Sequence, residues 1–286
     1  FDIEGGHDST LGTHLQTTTL FPVTDALRAG LNFDGYTKRG SLLGPALQYN
    51  HNQSVSSSMG ALTTGYIKDQ GPRQYDRLEE PIHSNRYFLD WRHQQAIGDQ
   101  FTLTAKGTHW SDSEVTKDFR ESLFLDDQQP DNFIEAVHTG NHYFLSFFTR
   151  FRPNDFHLIQ ERLPEIRFDW LPTPFFQTQA YHSFSANYVR LQADYSEFSE
   201  FAETPSQSDR FELSYQIQRP VPIRHWLSLT PQIGWRTNHY ENQSVDSAIQ
   251  ADSIDSAFTR SVFEFGFDLE ARTYAHYPVS NQRWNI

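Results

Sequence analysis

The chain has no cysteine in its 286 residues, which excludes thiolate metal sites, thiol nucleophiles and internal disulfides. Its one methionine is Met59, and it opens on Phe1 with no charged stretch leading into an apolar one, so a signal peptide is expected to lie upstream or to have been removed. The terminal Gln282-Arg283-Trp284-Asn285-Ile286 reads as a strand beginning, and the chain is therefore expected to be a segment of a longer protein. No run approaches the roughly 18 to 20 apolar residues that a membrane-crossing helix needs. Basic residues are few, 23 against 36 acidic, for a net charge of -13. That balance argues against nucleic acid and anionic surfaces as general partners, while leaving room for a local basic patch facing a phosphorylated lipid.

Catalytic signatures are also missing. Gly40-Ser41-Leu42-Leu43-Gly44 lacks the spacing of a seryl nucleophile motif, no His-Glu-x-x-His occurs, and the 13 histidines are scattered. Asp126-Asp127 with Asp131-Asn132 offers hard oxygens but neither the spacing nor the glycine of a calcium loop. Asp112, Glu114 and Asp118 invite comparison with a glycosidase carboxylate pair, yet 36 acidic residues produce such pairs by chance. Asn52-Gln53-Ser54 and Asn242-Gln243-Ser244 match a glycosylation pattern, a three-residue signal too short to carry a function. No enzyme activity, metal or cofactor is expected.

What the sequence does have is alternation. Leu27, Ala29, Leu31 and Phe33 alternate with Arg28, Gly30, Asn32 and Asp34; Tyr87, Leu89 and Trp91 with Asp90 and Arg92. Phe101, Leu103 and Ala105 alternate with Thr102, Thr104 and Lys106, and Phe211, Leu213, Tyr215 and Ile217 with Glu212, Ser214, Gln216 and Gln218. The clearest case sets Phe263, Phe265, Phe267 and Leu269 against Glu264, Gly266, Asp268 and Glu270. A two-residue period places each set on one face of a strand. At roughly 20 residues per strand and connection, the chain would hold about 12 to 14 strands of an antiparallel transmembrane β-barrel.

A mean hydropathy of -0.66 is no objection, because only alternate barrel residues meet lipid. Aromatic residues at 15% of the chain would suit two interfacial girdles, and also a carbohydrate-binding sandwich. Residues 96–99 read as a tight turn; 69–86, 111–142, 199–209 and 241–256 read as longer polar connections, with a short helix expected over 115–124. Pro45, Pro164, Pro172, Pro174 and Pro231 lie in or beside expected strands and mark strand starts, bulges or weak seams. A diffusion porin or receptor barrel, and a soluble β-sandwich binding polysaccharide, remain as alternatives. The sandwich would bury Phe263, Phe265 and Phe267 between sheets.

Four stretches resemble the LptD family of lipopolysaccharide-assembly proteins. They are Tyr36-Thr37-Lys38-Arg39-Gly40 with Gly44-Pro45-Ala46-Leu47-Gln48-Tyr49, an Arg-Gly turn leading into a strand; Trp91-Arg92-His93-Gln94; Ser111-Asp112-Ser113-Glu114-Val115-Thr116-Lys117-Asp118-Phe119; and Arg152-Pro153-Asn154-Asp155-Phe156 with Arg162-Leu163-Pro164-Glu165-Ile166. The quotable residues are Arg39, Gly40, Asp112, Asp118, Phe119 and Pro164.

The resemblance implies a Gram-negative outer membrane, a barrel of roughly two dozen strands, a periplasmic jellyroll and an LptE-like lipoprotein plug. This chain would supply about half the barrel as one domain, without the jellyroll or closing strands. The jellyroll would meet an LptA-like bridge, and any disulfide between jellyroll and barrel finds no cysteine here. Lipopolysaccharide would pass inside and leave by a lateral gate between the first and last strands. On that basis 11–21 and its neighbour 27–36 flank the gate, with Gly12, His14, Gln16 and Gly30 as gate-strand residues. Parity makes Arg28, Asn32, Asp34, Asp90, Arg92 and Gln94 lumen-facing, and Phe263, Phe265, Phe267 and Leu269 lipid-facing; a register slip of one residue would invert both sets.

Overall fold

A computed structural model describes residues 1–72, 74–75, 79–193, 206–242, 257–272, 277–279 and 282–284. Fifteen strands form one open antiparallel sheet, the arrangement of a partial β-barrel. In chain order they are β1 (Asp2–Asp8), β2 (Gly12–Pro22), β3 (Leu27–Tyr36), β4 (Gly40–Asn52), β5 (Ser56–Lys68), β6 (Asn85–Ile97) and β7 (Phe101–Trp110); then β8 (Phe133–Thr139), β9 (Tyr143–Arg150), β10 (Glu161–Pro174) and β11 (Tyr181–Ala193); then β12 (Ser206–Gln218), β13 (Val221–Arg224), β14 (Leu227–Asn242) and β15 (Ala257–Ala271). A separate ribbon pairs β16 (Tyr277–Val279) with β17 (Gln282–Trp284). Sequential strands are neighbours, except that β12 and β13 both pair with β14, one after the other along its length. Pro220 and Pro222 flank the start of β13, and two missing donors are reason enough for one long strand to break there.

The connection expected over 111–142 is shorter than its sequence suggested. Phe133–Thr139 is a strand, paired with β7 and β9. Phe133 shares a side with Glu135, so the alternation that marks the other strands is blurred. The expected helix is two helices, α1 (Val115–Phe119) and α2 (Glu121–Asp126), separated by Arg120 in non-helical backbone at φ -147° and ψ 62°. The expected turn after β6 is tight, with Gly98 at φ +57°. Of the connections expected at 199–209 and 241–256, residues 199–205 and 243–256 lie outside the described residues, whereas β12 already begins at Ser206.

Pro164 and Pro172 sit at irregularities in the pairing of β10, between Arg162 and Glu165 and between Trp170 and Thr173. Pro174 ends that strand. Pro45 and Pro231 lie within strands whose register runs on unchanged.

Following register from strand to strand gives each face a continuous identity. Leu31 stands opposite Pro45 and Phe33 opposite Leu43; Leu43 faces Tyr66, and Tyr66 faces Tyr87. Far along the sheet Tyr215 meets Trp235, which meets Phe263, and Ile217 meets Ile233, which meets Phe265. Leu31, Phe33, Leu43, Tyr66, Tyr87, Phe263 and Phe265 are all exposed on this face. A β-sandwich would bury such a face under a second sheet; here the described strands belong to one sheet and the ribbon.

The opposite face carries α1 and α2. Its buried core, Tyr36, Leu42, Ile67, Phe88, Trp110, Val115 and Phe119, gathers at the end of the sheet where connections 69–84 and 111–132 lie. Where β7 outruns its pairing with β8, two asparagine side chains take over. The Thr108 N–H donates to Asn132 Oδ1, the Trp110 N–H donates to Asn154 Oδ1 at 2.9 Å, and Asn154 Nδ2 donates to the Thr108 carbonyl at 3.2 Å.

Candidate functional site

Among the described residues, the densest polar structure is an ionic cluster where three connections converge. Arg39 ends the turn after β3, Asp69 follows β5, Arg86 is the second residue of β6, and Asp112 and Asp118 flank the start of α1. Arg39 donates to Asp69 from Nε at 2.6 Å and from Nη2 at 2.5 Å, and approaches Asp118 at 3.3 Å. Arg86 holds Asp112 through two parallel bonds of 3.0 and 2.7 Å. Its Nη1 reaches Asp118 at 2.6 Å and Asp69 at 3.1 Å. The Phe119 ring lies 5.0 Å from both guanidinium carbons, close enough for cation–π attraction to add to the ion pairs.

Both arginines are fully buried, so their charges have lost water and depend on these partners. Gly71 is required beside Arg39, because a Cβ there would stand 2.5 Å from Arg39 Nε.

A second pair extends the cluster along the same face. Arg120, at the break between α1 and α2, donates to Asp34 at 2.8 Å. Asp34 also accepts the Thr17 N–H at 3.0 Å and lies 3.2 Å from the Tyr36 hydroxyl. Gln16 Nε2 donates to the Phe119 carbonyl at 3.0 Å. The turn at Arg120 thus lets one side chain reach β3 while Phe119 fills the space against Tyr36, ring centroids 5.2 Å apart.

At Asp69, burial pushes the carboxyl up, but the Arg39 hydrogen bonds and the Gly71 N–H outweigh it and hold the group below the ordinary carboxylate value. A depressed pKa contributes stability that is complete above the unfolded value of about 3.9 and disappears as pH falls through the lower folded value. The connection at residues 69–72, which Asp69 fastens to Arg39 and Arg86, is therefore expected to stay protected from hydrogen exchange from pH 8 down to about pH 4 and to lose protection only below that. Loss of protection between about pH 5 and 7 would mean that the cluster does not hold the connection.

The family-pattern residues Arg39, Asp112, Asp118 and Phe119 meet in this cluster. Gly40 opens β4 beside it with φ +107°, whereas Pro164 lies in the β10 irregularity and takes no part. Sequence reasoning missed Asp69, Arg86 and Arg120. The available signal was Arg86's shared parity with Phe88, Asp90 and Arg92.

Arg28, Asn32, Asp34, Asp90, Arg92 and Gln94 all lie on the helix-bearing face by register. Asn32 and Asp34 are buried and held by protein groups, while Arg28, Arg92 and Gln94 are exposed. Phe263, Phe265, Phe267 and Leu269 lie on the other face, exposed by 75, 89, 69 and 60%.

Of the gate-strand candidates, Gly12 begins β2 at φ +74°. His14 lies 3.6 Å from Asp8, and Gln16 touches the α1 carbonyl already described. Gly30 pairs with Leu20 and Ala46 in unbroken register. β1 pairs with β2 only from Gly12 to Thr18, leaving residues 19–22 of β2 without a β1 partner.

The model of the family described as LptD, LPS transport system D, matches residues 84–282. The match takes in Arg86, Asp112, Asp118, Phe119 and most of the sheet. No curated protein matches the chain. Since the matched residues make up more than half of the sequence, the chain belongs to the LptD family of lipopolysaccharide transport proteins.

Proposed function

We propose that this chain forms part of the wall of one outer-membrane barrel domain that passes lipopolysaccharide to the outer leaflet through a lateral gate. The observation that carries this reading is the division between faces. One is apolar and exposed from Leu31 to Phe265; the other is polar and roofed at one end by the ionically fastened helices. Family membership supplies the cargo; the sheet suggests its route.

Burying each acyl CH₂ is favourable by about 0.8 kcal/mol, so lipopolysaccharide needs a path on which its chains stay out of water. In this reading the exposed face meets hydrocarbon and the helix-bearing face meets the sugar head. An open groove on the latter is lined by Gln48, Met59, Arg92, Gln94, Lys106 and Phe133. Arg92 and Gln94 offer donors there, whereas Asn32 and Asp34 are already engaged. The connections 69–84 and 111–132 face outside and the shorter turns face the periplasm, as in outer-membrane barrels. Behind the short edge strand β1, β2 and its neighbour β3 form one side of the gate, with Gly12, His14 and Gln16 on β2 and Gly30 on β3. An LptE-like lipoprotein plugs the lumen, and an LptA-like bridge delivers cargo through a jellyroll elsewhere in a longer protein.

Photo-crosslinking residues placed one at a time at Gln94 and Gln95, in the full-length protein in cells, test the route. These neighbours point to opposite faces. A lipopolysaccharide adduct is expected at 94 and not at 95. Equal adducts at both sites, or none at 94, would remove the proposed route.

A further inference from the structure

We infer that Asn32 is a positioning residue that clasps a weak seam between β4 and β5, replacing a main-chain hydrogen bond that Pro45 cannot make. β3 and β4 pair at every position from Leu27↔Tyr49 to Tyr36↔Gly40. β4 and β5 pair at Leu42↔Ile67 and Leu43↔Tyr66, and again from Ala46↔Thr63 onward, but not at Gly44 or Pro45. Register is the same on both sides of the gap, so no bulge is involved and Pro45 stands opposite Thr64.

In an antiparallel ladder successive N–H groups point to alternate neighbours. The unbroken ladder on the β3 side and the gap on the β5 side place the missing proline N–H opposite the Thr64 carbonyl. That carbonyl instead accepts from Asn32 Nδ2 at 2.8 Å. Asn32 belongs to β3 and pairs with Gly44 of β4, so its side chain must cross β4 to reach β5. Gly44 makes the crossing possible, because a Cβ there would lie 2.1 Å from Thr64 O.

The other end of the amide, Oδ1, accepts from Thr18 Oγ1 of β2 at 2.8 Å. Thr64 Oγ1 donates to the Pro45 carbonyl at 2.9 Å, completing the repair from the opposite side. One buried side chain thus ties β2, β3 and β5 together across a glycine. Its burial is complete, at 0% exposure, so Asn32 acts on the wall itself, not on the cargo.

Asn32 is fully buried where it meets Thr64 O, so a carbonyl left there without a donor is costly. The clasp therefore makes the seam conditional on one side chain. Hydrogen–deuterium exchange of the full-length protein in detergent, read on peptides covering 60–67, tests it. Asn32→Ala is expected to speed exchange there by about tenfold, the scale of one lost hydrogen bond, with β10 and β11 unchanged. Pro45→Ala restores the donor, so the double variant should return to within about twofold of the parent.

If Asn32→Ala fails to fold and the double variant folds, rescue is shown in a different readout and the clasp stands. Unchanged exchange in Asn32→Ala overturns it. So does a double variant that exchanges as fast, or folds as poorly, as the single one. None of these readouts involves lipopolysaccharide, so the clasp and the transport route succeed or fail separately.

Discussion

Arg86→Ala is expected to cost about 3–5 kcal/mol of folding free energy, because it strands several buried carboxylates at once. Arg86 is the one residue of the cluster that touches Asp69, Asp112 and Asp118 together. Asp112 receives two bonds from it, and the Asp112 side chain keeps only 8% of its exposure. Arg39 would still serve Asp69, while Asp112 would keep its bonds from the Ser111 hydroxyl and the Glu114 N–H, which supply no charge.

Arg86→Lys should recover only part of the loss, since an ammonium cannot reproduce the parallel pair on Asp112 while reaching Asp118. Denaturant unfolding of the protein refolded into detergent measures the cost. Limited proteolysis of 111–126 then shows whether the helices have detached. A loss below about 1 kcal/mol, the scale of an exposed ion pair, would mean that the cluster is wetter and looser than its burial implies. By contrast, loss of stability with the connection still protected would locate the damage in β6 instead.

The sheet was legible in the sequence because a two-residue period is local. Phe263 to Leu269 could be assigned to one face without knowing any neighbour, and Arg28 to Asp34 to the other. β8 was not legible, because Phe133, Glu135 and Val137 share one side and Ile134, Ala136 and His138 the other, so neither side is uniformly apolar and only its partners in β7 and β9 define it. The cluster was half legible. Arg39, Asp112, Asp118 and Phe119 stood out as pattern residues, but nothing local shows that two turns and a helix start converge on one point.

Asp69 and Arg86 looked like the two limits of a polar loop; they are the residues that fasten it. Asn32 was read as wet because parity says which way a side chain points. What parity cannot say is whether a proline on the next strand leaves a carbonyl waiting for it. Burial of polar groups is decided by such non-local shortages of partners, and those require the register.

Phe265 gives the test on which the two-faced reading depends. It lies near the middle of β15, opposite Ile233, with Ile217 one strand further on, and it is 89% exposed. A phenylalanine this exposed in water gains nothing from its position; in hydrocarbon it is solvated. Phe265→Arg should therefore cost roughly 2–4 kcal/mol in a bilayer, the value for a basic residue at the midplane. Glu264→Arg, the adjacent residue on the other face, should change stability by less than about 0.5 kcal/mol.

Leu269→Arg, two positions from the strand's end, should fall to about 0–1 kcal/mol, because an arginine near the interface can reach water. Folding free energies of the three variants in bilayers of defined thickness supply the comparison. A cost that depends on both parity and depth is a property of a lipid-facing barrel wall. If Phe265→Arg and Glu264→Arg cost the same, alternate side chains do not meet different solvents, and the separation of acyl chains from sugar head has no wall to rest on.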